Sequence, residues 1–150
     1  MAVPRWRTAS RPPQRIVCLR LAYQLRADNA DALVDVVSDR VRAAMPSPCS
    51  VVLDLSATPA LDENAGNALQ VLHHRLADSL VCLRVVLPEA RARAAFLGGG
   101  AGTAIGPDCV HASVRAAALA AYASLPGAAL VTSAQRDLLT APPEQLAGPE

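Results

Sequence analysis

The chain has 150 residues and a net charge of +1. That is enough for one domain with a real core. It supplies neither the basic field of a nucleic-acid binder nor the acidic balance that draws cationic ligands. Apolar residues make up 52% and aromatics only 3%, so the core must be built from Ala, Val and Leu, and since all 14 cationic residues are Arg, that choice reads as compositional bias.

Residues 1–15 are basic and Pro-rich and lack the apolar stretch of a secretory signal; they are expected to form a flexible arm or an edge strand. Residues 16–25 (IVCLRLAYQL) predict a strand. Asp28-Asn29 caps a helix over 31–45, with Leu33, Val34, Val37, Val41 and Met45 on one face, and Pro46 and Pro48 stop it. The near-continuous apolar run 50–55 is the mark of a strand covered by helices. A helix over 63–80 follows, with Ala65, Leu69, Leu72, Leu76 and Leu80 on its apolar face.

Residues 81–87 (VCLRVVL) predict the next strand, ended by Pro88. Residues 89–97 predict a short helix, which Gly98-Gly99-Gly100 should end by taking the left-handed conformation. Cys109-Val110 reads as a last short strand. Ser113 caps a helix to Leu125, with Val114, Ala118, Ala121, Tyr122 and Leu125 inward. Pro126-Gly127 closes the domain, and residues 126–150 read as a largely irregular tail with one helical turn near Leu138-Leu139. Strands alternating with helices over short connections give an α/β sandwich with parallel neighbours and right-handed crossovers.

The most informative stretch is 50–72, SVVLDLSATPALDENAGNALQVL. An apolar strand ends in Asp54-Leu55-Ser56, a compact turn follows, and Asp62-Glu63-Asn64-Ala65-Gly66 opens a helix. The first N–H groups of that helix lack internal partners and its end carries partial positive charge, so the place can be read by a partner or altered by a phosphate. Helix capping alone also accounts for acidic and amide residues there.

Other candidates carry little chemistry. Cys18, Cys49, Cys82 and Cys109 are separated by 31, 33 and 27 residues, which matches no zinc spacing. Cys18 and Cys82 lie in apolar runs, where cysteine serves as a small hydrophobe; they are expected to be buried and slow to react, with Cys49 and Cys109 nearer loops. His73, His74 and His111 read as surface histidines and no metal site is expected. Gly98 to Gly106 resembles a phosphate loop superficially but follows a helix and lacks the Gly-Lys-Ser/Thr ending. Ser56 has no nucleophile-elbow context. Apolar stretches are broken by Arg20, Arg26 or Arg84 before they reach spanning length, so no membrane insertion is expected, and a reduced cytoplasm is the default location.

Order and spacing from about residue 16 to 125 resemble the STAS domain, the fold of bacterial anti-sigma factor antagonists. In that family a strand ends in Asp-Leu-Ser, and a short loop leads to Asp-Ser-x-Gly at a helix start. Asp54-Leu55-Ser56 matches the first element, and Asp62 follows Asp54 at the usual spacing of eight. Ser113-Val114-Arg115 before an Ala-rich helix fits the ending. Two departures stand out. Tyr23-Gln24-Leu25-Arg26 replaces the usual Gly-Glu-Leu-Asp. The phosphoacceptor hydroxyl is missing: Glu63 occupies its position without a gap, Asn64 with a shift of one, and both registers stay open.

The resemblance implies a STAS-like mixed β-sheet of about four to five strands flanked by about four helices, with 16–125 as the domain between arm and tail. It implies a non-catalytic binding module without cofactor, regulating sigma-factor-dependent transcription. Its partner would be a kinase-type anti-sigma factor or another regulatory protein, met through Ser56, Asp62, Glu63, Asn64, Ala65 and Gly66. The usual phosphorylation switch would be lost at Glu63 or Asn64, and homodimerisation is left open. The alternatives are an accessory subunit of a lipid-transport ABC ATPase complex, or a small-ligand sensor using residues 98–106. An enzyme has no nucleophile and base to rest on.

Overall fold

In the computed structural model, which describes residues 16–44, 47–124 and 143–146, the apolar runs form one sheet. Its strands are β1 (Ile16–Leu21), β2 (Ser50–Asp54), β3 (Cys82–Val86), β4 (Val110–His111) and β5 (Glu144–Leu146), in the spatial order β4-β3-β2-β1-β5. Every described pairing is parallel. Cys18 sits beside Val52, and Val52 beside Arg84. All five residues of β2 are buried, as a central strand covered on both faces requires.

The helices are α1 (Ala30–Ala43), α2 (Glu63–Asp78), α3 (Ala90–Leu97), α4 (Gly100–Ile105) and α5 (Val114–Ala123), with a 3-10 turn at Pro107–Cys109. One sheet face carries Leu19, Leu53, Leu83 and Val85 against Leu33 and Val37 of α1 and Leu69 and Leu72 of α2. The other carries Ile16, Val52 and Val86 against Ala117, Ala118, Ala121 and Tyr122 of α5. The large core is thus leucine-rich, and the small one sets valine and isoleucine against alanine. No helix among the described residues is long and apolar enough to cross a membrane.

The expected α/β class is present and the strand count falls within the four to five expected, but the fifth strand, β5, comes from the segment read as a largely irregular tail; other details differ in instructive places. β1 ends at Leu21, although Leu25 is as buried as a strand residue. α1 buries Leu33, Val34, Val37 and Val41 as its periodicity requires; Met45, Leu125, residues 1–15 and the turn expected at Leu138-Leu139 lie outside the described residues.

Leu80 does not join the apolar face of α2. It is 90% exposed with φ of 61°, because the helix ends before it. Leu80 N–H donates to Ala77 O and Val81 N–H to Leu76 O, the paired bonds of a Schellman ending with leucine where glycine is usual.

The glycine stretch is also different from its reading as a loop. Gly98 and Gly99 have φ of −79° and −97°, not left-handed, and Gly100 opens α4. What needs glycine is the approach of α4 to the end of α3. A Cβ on Gly102 would stand 2.0 Å from Phe96 O. In the C-terminal segment, β5 joins the sheet edge beside β1, where Arg40 Nε of α1 meets Glu144 Oε2 at 2.7 Å.

Candidate functional site

The site begins where β2 ends. Asp54 is buried, and its two oxygens brace different parts of the strand end. Oδ1 accepts from Ser56 N–H at 2.9 Å. Oδ2 lies 3.4 Å from Nε of Arg20, its register partner on β1. Arg20 also reaches Ser56 Oγ at 3.5 Å. Thr58 is buried as well, and its Oγ1 accepts from Leu25 N–H at 2.8 Å. The loops after β1 and β2 are therefore tied together by side chains that come off the β2 end.

Asp62 is the N-cap of α2. Its backbone is extended, and Oδ1 accepts from Ala65 N–H at 2.7 Å, which satisfies one of the unpaired first-turn donors. Glu63 and Asn64 follow, both exposed. Ala65 is fully buried, so its methyl anchors the first turn to the core and gives a partner nothing to touch.

Beside this turn opens a cavity of about 630 Å³. Leu61, Leu87, Ala92, Phe96 and Ala101 supply apolar wall, while Asp62, Glu63, Asn67, Glu89 and Arg91 bring polar and charged groups to it. Of the residues read from sequence, Asp62, Glu63 and Gly66 line the cavity; Ser56, Asn64 and Ala65 do not. Gly99, Gly100 and Ala101, from the glycine stretch weighed as a small-ligand loop, also line it; the α3 part of the wall was not read from sequence. Its one available signal is Phe96, the only Phe of the chain, which is buried in an otherwise Ala- and Gly-rich segment.

On the other side of the sheet, the strand-breaking Arg84 proves to be a buried hub. Its Nη1 donates to Asp108 O and lies 3.1 Å from His111 Nε2, and its Nη2 donates to Ser124 Oγ. His111 is thus no free surface histidine. Burial, then the Arg84 charge, holds its pKa below the usual value. His73 is half-buried and also lowered, by burial and then by His74, with the two rings 5.3 Å apart; His74 is exposed. Among the described residues no group of three His, Cys, Asp or Glu is placed to hold a metal. Cys18 is half-buried, and burial pushes its thiol up to about 11. Cys82 is also only half-buried, because it lies at the open start of β3, facing Cys109.

No family model matches the sequence, and no curated protein does. The fold does have solved counterparts. One is the STAS domain of a SulP transporter from Vibrio cholerae, with a TM-score of 0.60 and 14% identity over 73% of this chain and 82% of that one. Another is a sulfate transporter family protein from Wolinella succinogenes, with a TM-score of 0.58 and 15% identity over 71% of this chain and 84% of that one. At these identities the likeness is one of fold: the chain has the STAS fold.

Proposed function

We propose that the chain is a non-catalytic protein-binding module of the anti-sigma factor antagonist kind. It docks a kinase-type anti-sigma factor on the surface formed by the first turn of α2 and the cavity beside it. The observation that carries this reading is the cavity itself, about 630 Å³ with apolar walls and charges around it, opening next to Glu63. An apolar pocket ringed by polar groups is the anatomy of a docking site in which a few anchors carry most of the affinity.

Asp62 acting as the cap supports the ungapped register, in which Glu63 stands at the phosphoacceptor position. A carboxylate there supplies part of a phosphate's charge permanently, and the kinase cycle has no hydroxyl to use at that position. Support for a binding role also comes from Asp54, Thr58 and Asp62, whose side chains are all engaged in holding backbone.

A second reading has its own observation. Both solved counterparts come from transporter proteins, which favours docking on a transporter component, the ATPase of a lipid-transport complex included. Affinity capture with wild type and with Ala95→Trp separates the readings, since Ala95 is exposed on the cavity wall. The account expects an anti-sigma factor retained by wild type and lost by the variant. A transporter subunit lost in the same way would move the conclusion to the second reading. Equal retention of every protein by both baits would remove the cavity from the function.

A further inference from the structure

The docking surface leaves two thiols unused. Cys82 opens β3, and Cys109 closes the 3-10 turn that enters β4, the neighbouring strand. Their sulfurs are 3.7 Å apart. Both are free and half-buried, so a small oxidant can reach them while water does not fully solvate them. Two residues on, Arg84 is only 7% exposed. Its guanidinium meets a carbonyl, an imidazole and a hydroxyl, its Nε has no partner, and no ion pair to it exists among the described residues. A buried cation with only uncharged acceptors favours an anion beside it; the Arg84 charge acts on both Cys82 and Cys109, and the Asp108 charge opposes it at Cys109.

We propose that Cys82 and Cys109 are a modification site, a dithiol that a hydroperoxide converts to an intramolecular disulfide. Cys82 is the sulfur oxidised first. Hydrogen bonding from Cys109, then the Arg84 charge, pulls its thiol down to about 6 against the opposing effect of burial, while Cys109 is held up by that same hydrogen bond and by burial. The Cys82 thiolate attacks the hydroperoxide. An S–O bond forms, the O–O bond breaks, and the alcohol (water, for hydrogen peroxide) leaves with a proton. Cys109 then attacks the Cys82 sulfenic acid. The S–S bond forms, the S–O bond breaks, and water leaves with the Cys109 proton. Two thiols have lost two electrons and two protons, and one hydroperoxide has been reduced. The sulfurs must close from 3.7 Å to about 2.05 Å, which takes thiol rotation and a shift of the turn toward β3.

The bridge would tie together the two ends of the segment that contains α3 and α4, the cavity wall. Any effect on docking rests on the docking reading; the disulfide does not. Cys18 is a built-in control, since burial pushes its thiol up to about 11 with no second cause acting on it.

The test is peptide mapping. Reduced native protein is treated with hydrogen peroxide, blocked with N-ethylmaleimide, denatured and cut with trypsin. Cleavage falls after Arg only, so the bridge joins peptide 76–84 to peptide 94–115. The expected result is this linked pair, reversed by dithiothreitol, with Cys18 and Cys49 recovered as maleimide adducts. It should form at least about tenfold faster in native than in urea-unfolded protein, because the fold raises the effective concentration of one thiol at the other. In Cys109→Ser the same treatment should leave Cys82 as a sulfenic acid that dimedone traps. Equal rates in native and unfolded protein, bridges to Cys18 or Cys49, or four thiols surviving peroxide that oxidises free cysteine would each overturn the proposal.

Discussion

Thr58 shows how a single hydroxyl can hold a site together. It is buried, and it satisfies Leu25 N–H, a donor 33 residues away in sequence. Thr58→Val keeps the shape and leaves that N–H unpaired in the interior, which should cost about 1–3 kcal/mol; urea unfolding monitored by circular dichroism reads it. Asp62 as a helix cap was legible, because its partner lies three residues on. Thr58 and Arg84 were not, because their partners come from distant loops that only the fold brings near.

The two lowered histidines make a prediction about pH. His73 and His111 are harder to protonate folded than unfolded, through burial and the neighbouring charge. Below the ordinary histidine value of about 6.5 the unfolded chain binds more protons than the native one, so stability is full above that value and falls as pH drops through it. For His111, protonation would set two cations against each other across 3.1 Å. The urea midpoint should therefore fall as pH drops below about 6.5, and His111→Asn should flatten that slope. An unchanged slope in the variant would show that His111 does not contribute.

At the scale of elements, long apolar periodicity was readable and short polar or glycine-rich pieces were not. α1 and α2 present their buried residues at helical spacing, and β2 is a continuous apolar run. α4, with sequence GAGTAI, goes against helix propensity and is held by packing. β5 is three residues, EQL, with two of them exposed, so it has no alternation to detect.

Two substitutions check these assignments. Gly102→Ala places a methyl 2.0 Å from Phe96 O and should destabilise by about 1–3 kcal/mol, the usual cost of overpacking, with the cavity wall displaced as well. Leu80→Gly should stabilise by roughly 0.5–1 kcal/mol, because it relieves a left-handed leucine at a position that is 90% exposed. A thermal or urea midpoint moving the other way in either variant would contradict the geometry at that turn.

At the scale of the molecule, the sheet separates two regions. One side of the site joins the β2–α2 loop to α3 and α4, from residues 58–67 and 87–101. The acidic turn at the helix start and the glycine stretch 98–106 marked parts of it in the sequence; the α3 wall between them was not legible, because a cavity between segments some thirty residues apart leaves no local pattern. Arg84 reaches Ser124 at the end of α5, and the dithiol lies at the start of β3 and the turn into β4, where cysteine spacing carried no message. The most direct measurement is calorimetric titration of the captured partner into wild type, Ala95→Trp and Glu63→Arg. Both altered residues are exposed, so folding stability should move by only about 0.5 kcal/mol. The account predicts that Ala95→Trp weakens binding at least about tenfold, equivalent to ~1.4 kcal/mol. Glu63→Arg should change it by a similar factor, with tighter binding if the carboxylate imitates a phosphate and weaker binding if it makes the contact. Unchanged affinity in both variants, with the fold intact, would contradict the claim that the protein works through this surface.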